Sequence, residues 1–120
     1  ATDFGDLIDG TRAEGSGSSN STRGLFMGGS GPGSNDTVQY ITIASTGDAT
    51  DFGNLSANVE AGGSCASGTR GLLGGGTTPT KINTIEYFTI ATTGNATDFG
   101  DRTTTGFGVG ACSDVHGGLG

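Results

Sequence analysis

The sequence is organised by an internal repeat with a period of 47 to 48 residues. Thr-Asp-Phe-Gly occurs at residues 2–5, 50–53 and 97–100. Three further features keep the 47-residue spacing: Thr-Arg-Gly-Leu at 22–25 and 69–72, an aromatic segment ending in Thr-Ile-Ala at 40–44 and 87–91, and the pair Cys65 and Cys112. A disordered tract has no reason to keep several motifs in phase. Repeats of about 20 to 50 residues are typical of arrays, solenoids and propellers.

The second unit contains four short segments with the character of β-strands. Residues 69–73 form an apolar run that ends at three glycines, and residues 82–92 form a β-branched and aromatic run. Part of the second run alternates apolar and polar side chains, as a half-buried strand does. Residues 96–99 and the small-residue segment 107–112 supply the other two strands. We therefore expect an all-β chain with essentially no helix.

The composition agrees with an all-β chain and argues against several functions. Gly accounts for 26 of 120 residues and charged residues for 14%, against roughly 7% and 25% in average proteins. Gly and Thr disfavour helix, which argues against a helical bundle. The net charge is −7 with only five basic residues, so nucleic-acid binding is not expected. No apolar run approaches the roughly 18 residues of a transmembrane helix, so no membrane span is expected.

A β-propeller is the preferred fold prediction. Units of this length with four short antiparallel strands are typical of propeller blades. The innermost strands of a propeller converge on a crowded channel, where Gly, Ala, Ser and Cys fit. A stacked β-solenoid is the first alternative, although its rungs are usually shorter than 47 residues. Another β arrangement is the second alternative.

The sequence contains about 2.5 units. We place unit one at residues 1–50, unit two at 51–97 and a partial third unit at 98–120. Propellers close with roughly four to eight blades. The chain is therefore expected to belong to a larger closed propeller, as a piece of a longer array or as one subunit of an assembly.

The repeat resembles the kelch repeat. Gly28-Gly29 and Gly74-Gly75 look like its double glycine, and Tyr40 and Tyr87 lie where a kelch repeat has its tyrosine. Kelch blades have a Trp about six residues after that Tyr. Here Phe52 and Phe99 follow the tyrosines by 12 residues, so the pattern is kelch-like rather than a proper kelch repeat.

The unit is also similar to uncharacterised repeats of marine bacteriophage proteins. The similarity covers the Thr-Arg-Gly-Leu motif, the Gly run, the Tyr-Ile-Thr-Ile-Ala segment and the Gly-Asn-Ala-Thr-Asp-Phe-Gly segment. It implies a virion or tail-associated protein and carries no known catalytic residues.

No catalytic site is expected, and the chain is not predicted to be an enzyme. Asp-Phe-Gly is also the metal-binding triplet of kinases, but the other kinase motifs are missing, so the triplet is read as a strand end with a buried Phe. His116 is the only histidine, and it lies close to Ser113 and Asp114 in the sequence. Alternate residues of a strand point to opposite faces, so these three side chains are not expected to form a catalytic site. The two cysteines are expected to be buried free thiols that fill space.

No cofactor or metal site is predicted, with one minor alternative. The acidic turn at residues 47–51 has oxygen ligands that could hold Ca²⁺. A calcium-binding loop of about 12 residues is absent, so Ca²⁺ is kept only as the alternative.

Two groups of residues are assigned different roles. Structural roles in the repeat are assigned to Arg23, Arg70, Asp51, Asp98, Phe52, Phe99, Tyr40 and Tyr87. The aromatic side chains are expected to be buried between neighbouring sheets, and the aspartates to cap turns or to pair with the arginines. Ligand contacts are assigned to loops that differ between units, at Ser30, Ser34, Asn35, Asp36, Thr77, Thr78, Thr80 and Lys81.

The expected function is a structural or adhesive component of a phage virion, in the tail or a fibre. Its partners would be other repeats of the same or a longer chain and a host-surface glycan or virion protein, so its location would be the virion or the extracellular space. The alternative is a secreted bacterial surface protein that binds carbohydrate or forms filaments.

Overall fold

The computed structural model describes residues 1–8, 12–32, 36–77 and 79–113. These ranges contain eight strands and no helix, which confirms the all-β prediction. The strands are β1 (Ser16–Ser19), β2 (Arg23–Met27), β3 (Thr37–Thr42), β4 (Thr50–Asn54), β5 (Gly63–Ala66), β6 (Arg70–Gly74), β7 (Thr84–Thr89) and β8 (Thr97–Asp101).

The strands form two equivalent four-stranded antiparallel sheets. Sheet 1 has the order β1-β2-β3-β4 and sheet 2 has the order β5-β6-β7-β8. The registers also repeat, since Leu25 lies opposite Tyr40 and Leu72 lies opposite Tyr87. Two successive meanders of this kind are consistent with part of a propeller. Each sheet begins at its small-residue strand, out of phase with units counted from Thr-Asp-Phe-Gly.

One hydrophobic core runs through both sheets. Its members are Leu25, Met27, Val38, Phe52, Leu55, Val59, Ala66, Leu73, Phe88 and Ile90. Alternate residues of a strand face opposite sides of its sheet. The core therefore includes residues that sheet 1 directs towards sheet 2, such as Leu25, and residues that sheet 2 directs back, such as Ile90.

The small-residue strands β1 and β5 pack directly against each other. Ser16 Oγ donates to Gly62 O at 2.6 Å, and Ser64 Oγ donates to Gly17 O. Gly71 in β6 also permits the close approach, because a Cβ there would lie 2.9 Å from Ser18 Oγ in sheet 1. The glycine- and serine-rich composition thus serves the contact where the sheets converge.

The Thr-Asp-Phe-Gly motif forms a bulge in the fourth strand of each sheet. Asp51 pairs with Gln39 and Gly53 with Val38, which leaves Phe52 as the extra residue. A β-bulge redirects the side chain at its centre, and Phe52 is buried against sheet 2 with 3% exposure. The bulge between Asp98 and Gly100 repeats this register in β8.

The predicted burial of Phe99 is wrong. Its side chain is 55% exposed, whereas Phe52 is buried and Tyr40 and Tyr87 are half-buried. Phe52 is covered by the following sheet, and the described residues contain no sheet that follows β8. The predicted strand at 107–112 is also not a strand. This segment lies beside β5, and the described residues contain no strand that pairs with its other side.

Both cysteines are free thiols, as expected, but they are not buried. Cys65 in β5 is half-buried and Cys112 is exposed. Cys65 lies at the converging edge of the sheets, where small side chains are required. Cys112 has the equivalent position in the repeat, and the described residues supply no further strand to cover it.

Candidate binding surface

The β2–β3 and β6–β7 loops contain the residues assigned to ligand binding, and the structure engages some of them in packing. Ser30 N donates to Ala13 O at 2.7 Å, and Thr77 N donates to Glu60 O at 3.0 Å. These contacts fasten each loop to the segment that leads into its sheet. Ser30 and Thr77 therefore have a structural role whatever else they contact.

The other described loop residues differ in accessibility. Asp36 is half-buried, and its carbonyl oxygen accepts a hydrogen bond from Leu55 N at 2.7 Å. Thr80 and Lys81 are exposed. The Lys81 ammonium lies 5.1 Å from the ring centroid of Phe107, a cation–π contact that holds the positive charge at the loop surface. Ser34, Asn35 and Thr78 lie outside the described residues.

The turns at the opposite end of the sheets form two equivalent pockets. One pocket is lined by Tyr87, Phe88, Thr89, Thr92, Gly94, Asn95 and Thr97 and encloses about 330 Å³. Its counterpart in sheet 1 is lined by Tyr40, Ile41, Thr42, Ser45, Thr46, Gly47, Asp48 and Thr50 and encloses about 110 Å³. Sequence reasoning missed these pockets. The repeated threonines, Thr42 and Thr50 in sheet 1 and Thr89 and Thr97 in sheet 2, are the signal that could have indicated them.

Packing of the sheets explains why the two pockets differ in size. Tyr40 lies on the face of sheet 1 that sheet 2 covers, since its ring contacts Phe52, which in turn contacts Phe88. Tyr87 lies on the equivalent face of sheet 2, which no sheet of the described residues covers. The pocket at Tyr87 is therefore larger because no neighbouring sheet covers it, whereas sheet 2 narrows the equivalent pocket at Tyr40.

The repeated arginines stack on the repeated tyrosines. The guanidinium of Arg23 lies 4.4 Å from the Tyr40 ring centroid, and that of Arg70 lies 4.7 Å from the Tyr87 ring centroid. Arg23 Nη1 also donates to Ile90 O at 2.8 Å, which joins sheet 1 to sheet 2.

The repeated aspartates hold the bulges. Asp51 Oδ1 accepts from Gly53 N at 3.2 Å, and Asp98 Oδ1 accepts from Gly100 N at 3.0 Å. Of the two roles expected for these carboxylates, capping of the turn is the one adopted.

Among the described residues, few side chains are placed as a catalytic or metal centre would need. No cluster of three or more metal-ligating side chains occurs among the residues that the structure describes. In the acidic turn considered for Ca²⁺, Asp48 Oδ1 accepts from Asp6 N at 3.0 Å, so this carboxylate serves packing. His116 lies outside the described residues.

Across the described ranges, no helix is long and apolar enough to cross a lipid bilayer. No protein-family model matches the chain, and no curated protein is similar to it at a significant level.

Proposed function

We propose that the chain is a structural and adhesive repeat module, which serves in a virion tail or fibre and contacts a host-surface glycan or a virion protein through its β2–β3 and β6–β7 loops. One observation supports the structural part of this proposal: two equivalent sheets follow one another along the chain and pack against each other. A scaffold of rigid strands with differing loops is a common arrangement for recognition.

The loops are better candidates for adhesion than the turn pockets. The backbone of each turn takes part in packing, because Gly94 N donates to Phe52 O at 2.7 Å and Gly47 N donates to Phe4 O at 2.8 Å. The β6–β7 loop instead leaves Thr80 and Lys81 exposed. A hydroxyl and an ammonium group can hydrogen-bond to the hydroxyl or carboxylate groups of a sugar.

The location in a virion is supported by the similarity of the repeat to marine bacteriophage repeats. Antibodies raised against the chain should label intact particles at the tail or fibre. Labelling of free fibres at a bacterial surface would instead favour a secreted, carbohydrate-binding or filament-forming protein.

Adhesion can be tested by binding of the fluorescently labelled chain to an array of bacterial surface polysaccharides. The double variant Thr80→Ala, Lys81→Ser should lose binding and keep the melting temperature of the parent. The matched control Thr92→Ala, Thr93→Ala removes exposed hydroxyls from the opposite end of sheet 2 and should bind normally. Unchanged binding of the loop variant, with loss in a folded Arg70→Ala variant, would reverse the assignment of roles.

A further inference from the structure

The pentapeptide Thr-Asp-Phe-Gly-Asp occurs twice without any change. It forms residues 2–6, ahead of sheet 1, and residues 97–101, which are strand β8. Strand β4, at residues 50–54, differs from both only by Asn54 at the last position.

All three segments adopt the same local conformation. The first Asp of each accepts a hydrogen bond from the following Gly, as Asp3 Oδ1 does from Gly5 N at 3.2 Å. The glycine φ angles are 147° at Gly5, 147° at Gly53 and 140° at Gly100. Strand β8 therefore already has the shape of the other two segments.

Strand β4 is docked on the β7–β8 turn of the next sheet. Gly94 N donates to Phe52 O at 2.7 Å, and Ala96 N donates to Asn54 O at 2.8 Å. A Cβ at Gly53 would lie only 2.3 Å from Gly94 O, so the two backbones are in direct contact.

Residues 2–6 make the same contacts with the β3–β4 turn of sheet 1. Gly47 N donates to Phe4 O at 2.8 Å, and Ala49 N donates to Asp6 O at 2.9 Å. A Cβ at Gly5 would lie 2.3 Å from Gly47 O. A Cβ at Gly100, by contrast, would meet no atom within 4 Å. Two of the three segments are docked, and Gly100 in β8 faces open space.

The outer faces of the two sheets are the two halves of the interface that the chain already uses internally. On sheet 2, Phe99 is 55% exposed where its equivalent Phe52 is 3% exposed. On sheet 1, Ile43 is 44% exposed where its equivalent Ile90 is fully buried. Phe26 on sheet 1 is likewise 40% exposed, and its equivalent Leu73 is 3% exposed.

We propose that copies of this chain associate head to tail, with β8 of one copy displacing residues 2–6 from the sheet 1 turn of the next copy. The exchange keeps the turn hydrogen bonds one for one because the two segments have the same sequence. The gain lies elsewhere, since Phe99 of one copy and Phe26 and Ile43 of the other become buried. Arg70 also gains the Ile43 carbonyl as an acceptor, as Arg23 has Ile90 O within the chain.

Residues 2–6 thus act as a replaceable cover for one half of the interface. The interface joins different surfaces on the two copies, and such heterologous contacts produce rings or open filaments. With two sheets per copy, a ring of roughly four to eight blades would take two to four copies.

This inference rests on the structural part of the proposed function and not on the adhesive part. Its test measures molar mass, whereas the adhesion test measures binding to polysaccharide, so the two failures are distinguishable.

The first experiment is sedimentation velocity of the full chain over a range of concentrations. The parent should associate. Phe99→Ser should weaken association tenfold or more, by loss of a large buried apolar side chain. Phe107→Ser is the matched control: Phe107 is 57% exposed, but its repeat equivalent in the packed pair is Glu60, so association should not change. A parent that stays monomeric at every concentration, or equal effects of the two variants, would overturn the proposal.

A mixing experiment tests the head-to-tail geometry. Ile43→Ser weakens the sheet 1 face and Phe99→Ser weakens the sheet 2 face, so each variant alone should be monomeric at a concentration where the parent associates. An equimolar mixture still has one intact face of each kind. It should form a dimer of twice the 11.7 kDa chain mass and grow no further. Larger species in the mixture, or none, would contradict the proposed pairing of faces.

A synthetic peptide of residues 1–8 tests displacement of the cover. The peptide contains the β8 sequence and should compete with β8 for the sheet 1 turn. An excess of peptide should therefore lower the mean molar mass of the associated parent chain. Association that persists unchanged in excess peptide would rule out strand displacement.

Discussion

Phe52 packs edge to face against Phe88 across the boundary between the two sheets, with ring centroids 5.9 Å apart and ring planes at 85°. The Tyr40 ring also packs edge to face against Phe52, at the same centroid distance of 5.9 Å. This aromatic row begins in β3, crosses the bulge of β4 and ends in β7. Phe52 therefore connects the bulge of β4 to β3 in its own sheet and to β7 in the next sheet.

Replacement of Phe52 by Ala should be among the most damaging single changes. Removing a fully buried Phe leaves a cavity and costs about 3–5 kcal/mol in the free energy of unfolding. Phe99→Ala is the matched control, because the same residue in the same motif is 55% exposed. Its cost should be smaller, about 0.5–1.5 kcal/mol, because the Phe99 ring has an edge contact with Tyr87 at a centroid distance of 6.2 Å and no neighbouring sheet. Urea denaturation at low protein concentration measures both; similar losses would show that Phe99 is covered in solution.

Gly53→Ala and Gly100→Ala separate backbone strain from steric contact. Both glycines have positive φ, 147° and 140°, so both variants should lose roughly 1–3 kcal/mol from strain. Only the Cβ at position 53 would also collide with a backbone oxygen, at 2.3 Å. Gly53→Ala should therefore lose about 1–3 kcal/mol more than Gly100→Ala. Equal losses in thermal unfolding of dilute samples would mean that the β4–turn contact is absent.

The repeat and its strand character made the sheets predictable from sequence. Strands β6, β7 and β8 lie within or close to the runs identified at 69–73, 82–92 and 96–99 because alternation and β-branched residues report directly on a half-buried strand. Burial was less predictable. Phe52 and Phe99 have the same local sequence, and their exposures differ because only one has a neighbouring sheet.

The loop residues show a second limit of sequence reasoning. Ser30 and Thr77 are polar residues between strands, which suggested ligand contacts. Their backbone groups instead bond to Ala13 and Glu60. Such pairing depends on where the chain returns after a long separation, and neither composition nor periodicity reports it.

Arg23→Met should destabilise the chain more than Arg70→Met. Both changes remove a stacking contact with a tyrosine, worth roughly 0.5–1 kcal/mol at an exposed site. Arg23 also donates to Ile90 O across the sheets at 2.8 Å, and a hydrogen bond from a charged donor contributes about 1.5–3 kcal/mol. Guanidinium denaturation of the two variants should differ by about that amount. Equal effects would indicate that the contact between Arg23 and sheet 2 does not contribute.

Glu86 should tolerate replacement by Gln and not by Leu. The side chain is 4% exposed, and its Oε1 accepts a hydrogen bond from Ser56 N at 2.9 Å in the segment that leads out of sheet 1. Gln39 has the equivalent position in sheet 1, and its Oε1 accepts from Ile8 N at 2.7 Å. An amide oxygen therefore already does this task in the other sheet. Glu86→Gln should change the free energy of unfolding by less than about 1 kcal/mol, because the Ser56 N–H keeps an acceptor.

Glu86→Leu removes the acceptor and leaves the Ser56 N–H without its partner, which should cost about 1–3 kcal/mol. Amide hydrogen exchange at Ser56 provides a local readout: protection should persist in Glu86→Gln and fall in Glu86→Leu. Retained protection in the Leu variant would mean that the carboxyl group of Glu86 does not hold the segment between the sheets.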